Sequence, residues 1–98
     1  MTEREDEAVW DEDEYVAYLR DERRAFAWVM QRYGGLTTAE AEEAALECYP
    51  YEASGTPFRG LIFHDEAWHW AMLSVYGDRY YVDHPELAQP STEYRALG

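Results

Sequence analysis

The chain has 98 residues, with 21 acidic side chains against 8 basic ones, a formal net charge of −13 and a pI near 4.4. That size admits one domain, residues 1–98, and excludes a multidomain enzyme; 47% hydrophobic and 16% aromatic residues supply a core, so the charge does not imply disorder. One cysteine, Cys48, excludes an internal disulfide framework or a multi-cysteine zinc site, and no apolar run approaches the roughly 18 residues of a membrane span.

The segment Met1–Glu7 is acidic where a secretory signal is basic, so a reducing cytoplasm is the expected location. Residues 1–9 hold little apolar material and are expected to fray. All eight basic residues are arginine, asparagine is absent and isoleucine occurs once, the mark of a GC-rich genome. Halophilic proteins share the acid excess but shed large apolar side chains, whereas four Trp and nine Tyr remain here. Direct nucleic-acid binding is excluded by the sign of the charge, since phosphates need a basic stripe.

The first predicted helix covers residues 11–33. Asp11 is placed as N-cap with Glu14 as its reciprocal partner, and Trp10 and Tyr15 are spaced for a hydrophobic staple. Tyr15, Leu19, Phe26, Met30 and Tyr33 fall within about 60° on a helical projection, flanked by Tyr18 and Val29, which predicts a core-facing stripe. Gly34 and Gly35 stop the helix. A second helix, 37–49, opens with Thr37 and Glu40 as a capping box and ends before Pro50. Ala41, Ala44, Ala45 and Cys48 line one side and permit close helix approach. The loop from Pro50 to Gly60 is expected to insert Tyr51 and Phe58 as anchors.

A third helix, 64–76, is apolar almost all round, which predicts the central packed helix. Its alternative is a hairpin over 70–82, turning at Gly77 and Asp78. Ser91–Leu97 is expected to form at most a short last turn. The fold class that follows is mainly α, a small three-helix bundle (about 11–33, 37–49 and 64–76) with an irregular or helical C-terminal tail. The alternative is α+β with the hairpin at 70–82.

The run from His69 to Pro85, HWAMLSVYGDRYYVDHP, resembles the block of papain-like and transglutaminase-like cysteine enzymes in which a base histidine precedes a strand, a turn and a strand ending in Asp. That resemblance implies a small cysteine hydrolase with Cys48 as nucleophile, His69 as base and Asp83 orienting the imidazole. Against it, Cys48 falls at a helix C-terminus, where the dipole disfavours the thiolate. A metal site drawn from His64, Asp65, Glu66, His69, Asp83 and His84 is not supported by the spacing, because His64 and His69 diverge by about 140° on a helix. No cofactor or metal is expected, and the chain is read as a non-enzyme.

The charge is unevenly distributed. Residues 1–14 carry eight acids and one arginine, residues 15–36 carry four arginines and two acids, and residues 37–56 carry five acids and no base. Few acids have an arginine at helical spacing, so most are uncompensated locally and repel one another. The leading expectation is a small inhibitor of phage or mobile-element type that occupies the basic surface of a nucleic-acid-binding protein, an anti-CRISPR or other anti-defence protein being one form. Glu12, Asp13, Glu40, Glu43 and Glu47 are the candidate phosphate surrogates. Trp28, opposite the core stripe and within reach of Arg32 stacking, is the candidate anchor, with packing under the long loop or the tail as its other reading. A structural or assembly subunit pairing with a second copy is the third class considered.

Overall fold

The computed structural model describes residues 10–97. It holds three helices of ten residues or more, α1 (Glu12–Gly34), α2 (Thr38–Cys48) and α3 (Ala67–Tyr76). Two single turns follow, α4 (Tyr80–Asp83) and α5 (Thr92–Arg95), with 3-10 turns at Leu61–His64 and Pro85–Leu87. The fold is mainly α, and no strand occurs among the described residues. The hairpin alternative is therefore overturned: residues 70–82 run through α3, the Gly77 bend and most of α4. The expectation that residues 1–9 fray falls on residues outside those described.

The helix starts follow their local chemistry. Asp11 accepts from the Glu14 amide at 3.4 Å, and Trp10 meets the Tyr15 ring edge-on at 6.2 Å, forming the staple. At Thr37 both halves of the capping box close, with Glu40 N–H donating to Thr37 Oγ1 at 3.1 Å and Thr37 N–H donating to Glu40 Oε1 at 3.0 Å. Gly35, at φ 71°, ends α1 in the left-handed region.

The spine of the molecule is α1. Its stripe of Tyr15, Leu19, Phe26, Val29 and Met30 is buried, and α2 and α3 each pack on it. This corrects the expectation that the third helix is central: α1 is more than twice as long as α3 and serves both partners. From α2 it receives the small residues Ala41 and Ala45. From α3 come Ala67, Trp68, Ala71 and Met72, and the tail reaches α3 at Trp68. There Trp68 Nε1 donates to Leu87 O at 2.8 Å and the Trp68 amide donates to Tyr94 Oη at 3.3 Å. The third helix also begins three residues later than predicted, because residues 61–64 tighten into a 3-10 turn and Glu66 takes the N-cap position.

Three side chains of α1 bond distant backbone, two at helix ends and one in the 50–60 loop. Arg23 donates from Nε and Nη2 to the Tyr49 carbonyl, at 2.9 and 2.7 Å, which places a cation on the C-terminus of α2. Glu22 accepts the Ala67 amide at 3.1 Å and so caps α3 from α1, since Glu66 makes no side-chain cap bond. Tyr15 Oη accepts the Glu52 amide at 2.9 Å and fixes the start of the 50–60 loop.

Candidate functional site

The buried alanines of α2 determine which acids face water. With Ala41 and Ala45 against α1, Glu40, Glu42, Glu43 and Glu47 are all exposed. Glu40, Glu43 and Glu47 lie within about 60° of one another around the helix. Among the described residues none of the four forms an ion pair. Glu40 has a second role, because one of its carboxylate oxygens closes the capping box.

Among the described residues four arginines pair with acids outside α2. Arg24 pairs with Asp21 at 3.8 Å, Arg32 with Glu93 at 3.7 Å and Arg95 with Glu66 at 3.6 Å. These exposed pairs contribute little stability, about 0–1 kcal/mol each, but they cancel charge locally. Glu12, one of the candidate phosphate surrogates, is paired within the chain: it accepts from Tyr51 Oη at 2.7 Å and from Arg59 Nη2 at 2.6 Å. These two bonds, Tyr51's first, hold its carboxyl below the usual carboxylate range. Asp13, on the same turn, is exposed with no ion pair among the described residues.

Trp28 is half-buried, with its ring centroid 6.4 Å from that of Tyr33 and 6.5 Å from that of Tyr94 on α5. It packs under the tail rather than standing free. Arg32 is not stacked on it; the guanidinium lies over Tyr33 at 5.2 Å.

The 50–60 loop departs most from expectation. Neither Tyr51 nor Phe58 inserts into the core. Tyr51 is half exposed, and Phe58 is 81% exposed with φ at 59°, a left-handed conformation that is strained for a bulky residue by about 1–2 kcal/mol. The anchors are instead Trp10, Phe63 and Arg59. Phe63 packs among Trp10, Tyr15, Tyr18 and Tyr49. The Arg59 side chain is only 7% exposed, its guanidinium 3.8 Å from the Tyr15 ring centroid. Gly60 N–H donates to Glu52 Oε1 at 3.0 Å, closing the loop. A Cβ on Gly60 would stand 2.4 Å from Trp10 Nε1, and its φ is +84°, so this close approach requires glycine. Sequence reading missed Phe58 as an exposed residue because an aromatic between Pro57 and Gly60 looks like a loop anchor.

The three residues of the cysteine-hydrolase reading are not assembled. Cys48 is half-buried at the end of α2, and burial pushes its thiol up to about 11. His69 Nδ1 meets Tyr80 Oη at 2.9 Å, and its Nε2 lies 3.9 Å from Asp65 Oδ2. Asp83 is exposed on α4 and makes no hydrogen bond to His69. The strand, turn and strand of the resembled block are replaced by helix, bend and helical turn. Among the described residues no group of three or more His, Cys, Asp or Glu is arranged to hold a metal ion. No helix of the described residues is long and apolar enough to cross a membrane.

No protein-family model, curated protein or solved structure matches the chain.

Proposed function

We propose that this protein is a small cytoplasmic inhibitor, of phage or mobile-element type, that binds the basic surface of a nucleic-acid-binding protein and excludes nucleic acid from it. An anti-CRISPR or other anti-defence protein is one concrete form. The observation that carries this reading is the outer face of α2, where Glu40, Glu43 and Glu47 are exposed without an ion pair among the described residues while arginines neutralise acids elsewhere. Fixed carboxylates on a rigid helix imitate a row of phosphates, and the net charge of −13 raises encounter rates with a basic partner. Asp13 supplements that face from α1. Glu12 contributes to the loop clamp rather than to a bare surface, and Trp28 supports the tail.

The test is capture of the partner from host lysate, followed by displacement of that partner's own DNA or RNA. Glu43→Lys with Glu47→Lys is expected to abolish displacement while circular dichroism stays unchanged. Undiminished displacement by that double variant would sink the reading. High salt is expected to release the partner, because the Debye length falls to about 3 Å at 1 M. Cys48→Ala is expected to leave displacement unchanged, which separates the inhibitor from the cysteine hydrolase.

A further inference from the structure

We propose that the apolar strip running from Phe58 over Leu61 to Ile62 and Trp70 docks a basic, amphipathic segment of the partner protein. This rests on the acidic-inhibitor reading and supplies the apolar anchor which half-buried Trp28 does not. Phe58 is 81% and Leu61 64% exposed, and the Leu61 amide donates to the Phe58 carbonyl at 3.0 Å, which puts both at the ends of one tight turn. Leu61 leads into an open depression of about 380 Å³ that it lines with Ile62, His64 and Trp70. Trp70 is fixed there by its Nε1 donating to Ile62 O at 3.0 Å.

The protein holds this knob out from a braced base. Arg59, next to Phe58, is clamped on Tyr15 and Glu12, and Gly60 is held between Glu52 and the Trp10 ring. Phe58 itself contributes almost no burial and sits on left-handed backbone, so nothing in the fold rewards a phenylalanine at this position. A braced aromatic knob loses little freedom on binding, which is what a docking anchor needs.

Charge selects the occupant. Through Tyr51 and Arg59 the loop is tied to Glu12, so the first turn of α1, with Asp11, Asp13 and Glu14 exposed, stands beside it. Arg59 answers Glu12 alone. A net −13 repels a second copy, nucleic acid and anionic lipid, and attracts a segment bearing Lys or Arg. An apolar side chain of that segment fills the depression while its cations meet the acidic turn.

The test titrates the isotope-labelled full chain with two synthetic peptides of equal charge and length, one of lysine and leucine and one of lysine and serine. The lysine–leucine peptide is expected to bind about tenfold more tightly, with chemical shift changes concentrated at Phe58, Leu61 and Trp70. Phe58→Asn, which suits left-handed backbone and is expected to fold at least as stably, should remove that advantage. Equal affinity of the two peptides, or an advantage retained in Phe58→Asn, overturns the proposal. If both peptides bind α2 equally, this inference falls and the acidic-inhibitor reading stands; if neither binds, both fall. Self-association lost in Phe58→Asn, or binding to neutral phosphatidylcholine vesicles, would assign the strip to another occupant and also overturn it.

Discussion

At the start of α1, Glu12 is gripped by Tyr51 and by Arg59, whose side chain is almost completely buried, and the carboxylate holds a loop in place. Along the outer face of α2, Glu43 and Glu47 sit one turn apart in water with no arginine paired to either among the described residues. The same side chain is structural in one region and bare in the other. The difference teaches that acid count does not map directly onto surface potential. Seven of the eight arginines lie within the described residues, and the ones in ion pairs there meet acids of α1, the loops and the tail, none on α2. Arg23, beside α2, bonds the Tyr49 carbonyl and forms no ion pair with the α2 glutamates.

The largest expected effect breaks the clamped region. Gly60→Ala forces a Cβ against Trp10 on left-handed backbone and should cost about 2–3 kcal/mol, read as a lower denaturant midpoint. Arg59→Met should loosen the same region, raising hydrogen exchange at Gly60 and Glu52 while the α2 amides keep their protection. Next comes Thr37→Ala, which removes half of the capping box and should destabilise by about 1 kcal/mol, fraying the helix that carries the bare acids.

Removing the bare charge itself should scarcely change stability. Glu40→Gln with Glu43→Gln and Glu47→Gln keeps the capping box, since glutamine also serves at that position, and the shift should stay within about 0.5 kcal/mol. The same variant should lose partner binding. A destabilisation beyond 1–2 kcal/mol would show that these glutamates hold the fold together, and the contrast between the two regions would be lost.

The smallest expected effects are in pH dependence, and they have opposite signs. Glu12 lies below its ordinary value of 4.5, so its stabilising bonds are fully present above that value and are lost as pH falls through the lowered one. Glu22 lies above 4.5, because burial disfavours its charge even though the Ala67 amide favours it. Its native form holds the proton longer than the unfolded chain, so its contribution to stability falls as pH rises from 4.5 through the raised value. Glu22→Gln should therefore remove a loss of stability over that window, seen in melts at stepped pH. Alkylation of Cys48 should also stay slow until pH nears the raised thiol value of about 11.

The two helix starts, at Asp11 and Thr37, and the left-handed end at Gly35 were legible in the sequence because caps and stops depend on residues three or four positions apart. So was the buried stripe of α1, apart from half-buried Tyr33 and exposed Tyr18. The small-residue side of α2 was equally plain. The strand alternative for residues 70–82 arose because an apolar run carries no period of its own. It was decided by packing: Ala67, Trp68, Ala71 and Met72 are all buried, and the tail adds bonds to Trp68, which rewards an apolar helix here. The α2 part of the candidate site was readable as acids facing away from alanines.

What the sequence by itself determined is therefore local: where helices start and stop, which face of each is apolar, and that α2 carries acids and no base. Only the tertiary structure decided that Glu12 meets an arginine 47 residues away, that Trp28 lies under α5 and that Phe58 points into water. The physical reason is range. Capping and periodicity act within a turn of helix, whereas pairing a charge or covering an aromatic ring depends on which distant segment arrives beside it, and that is set by packing all three helices at once.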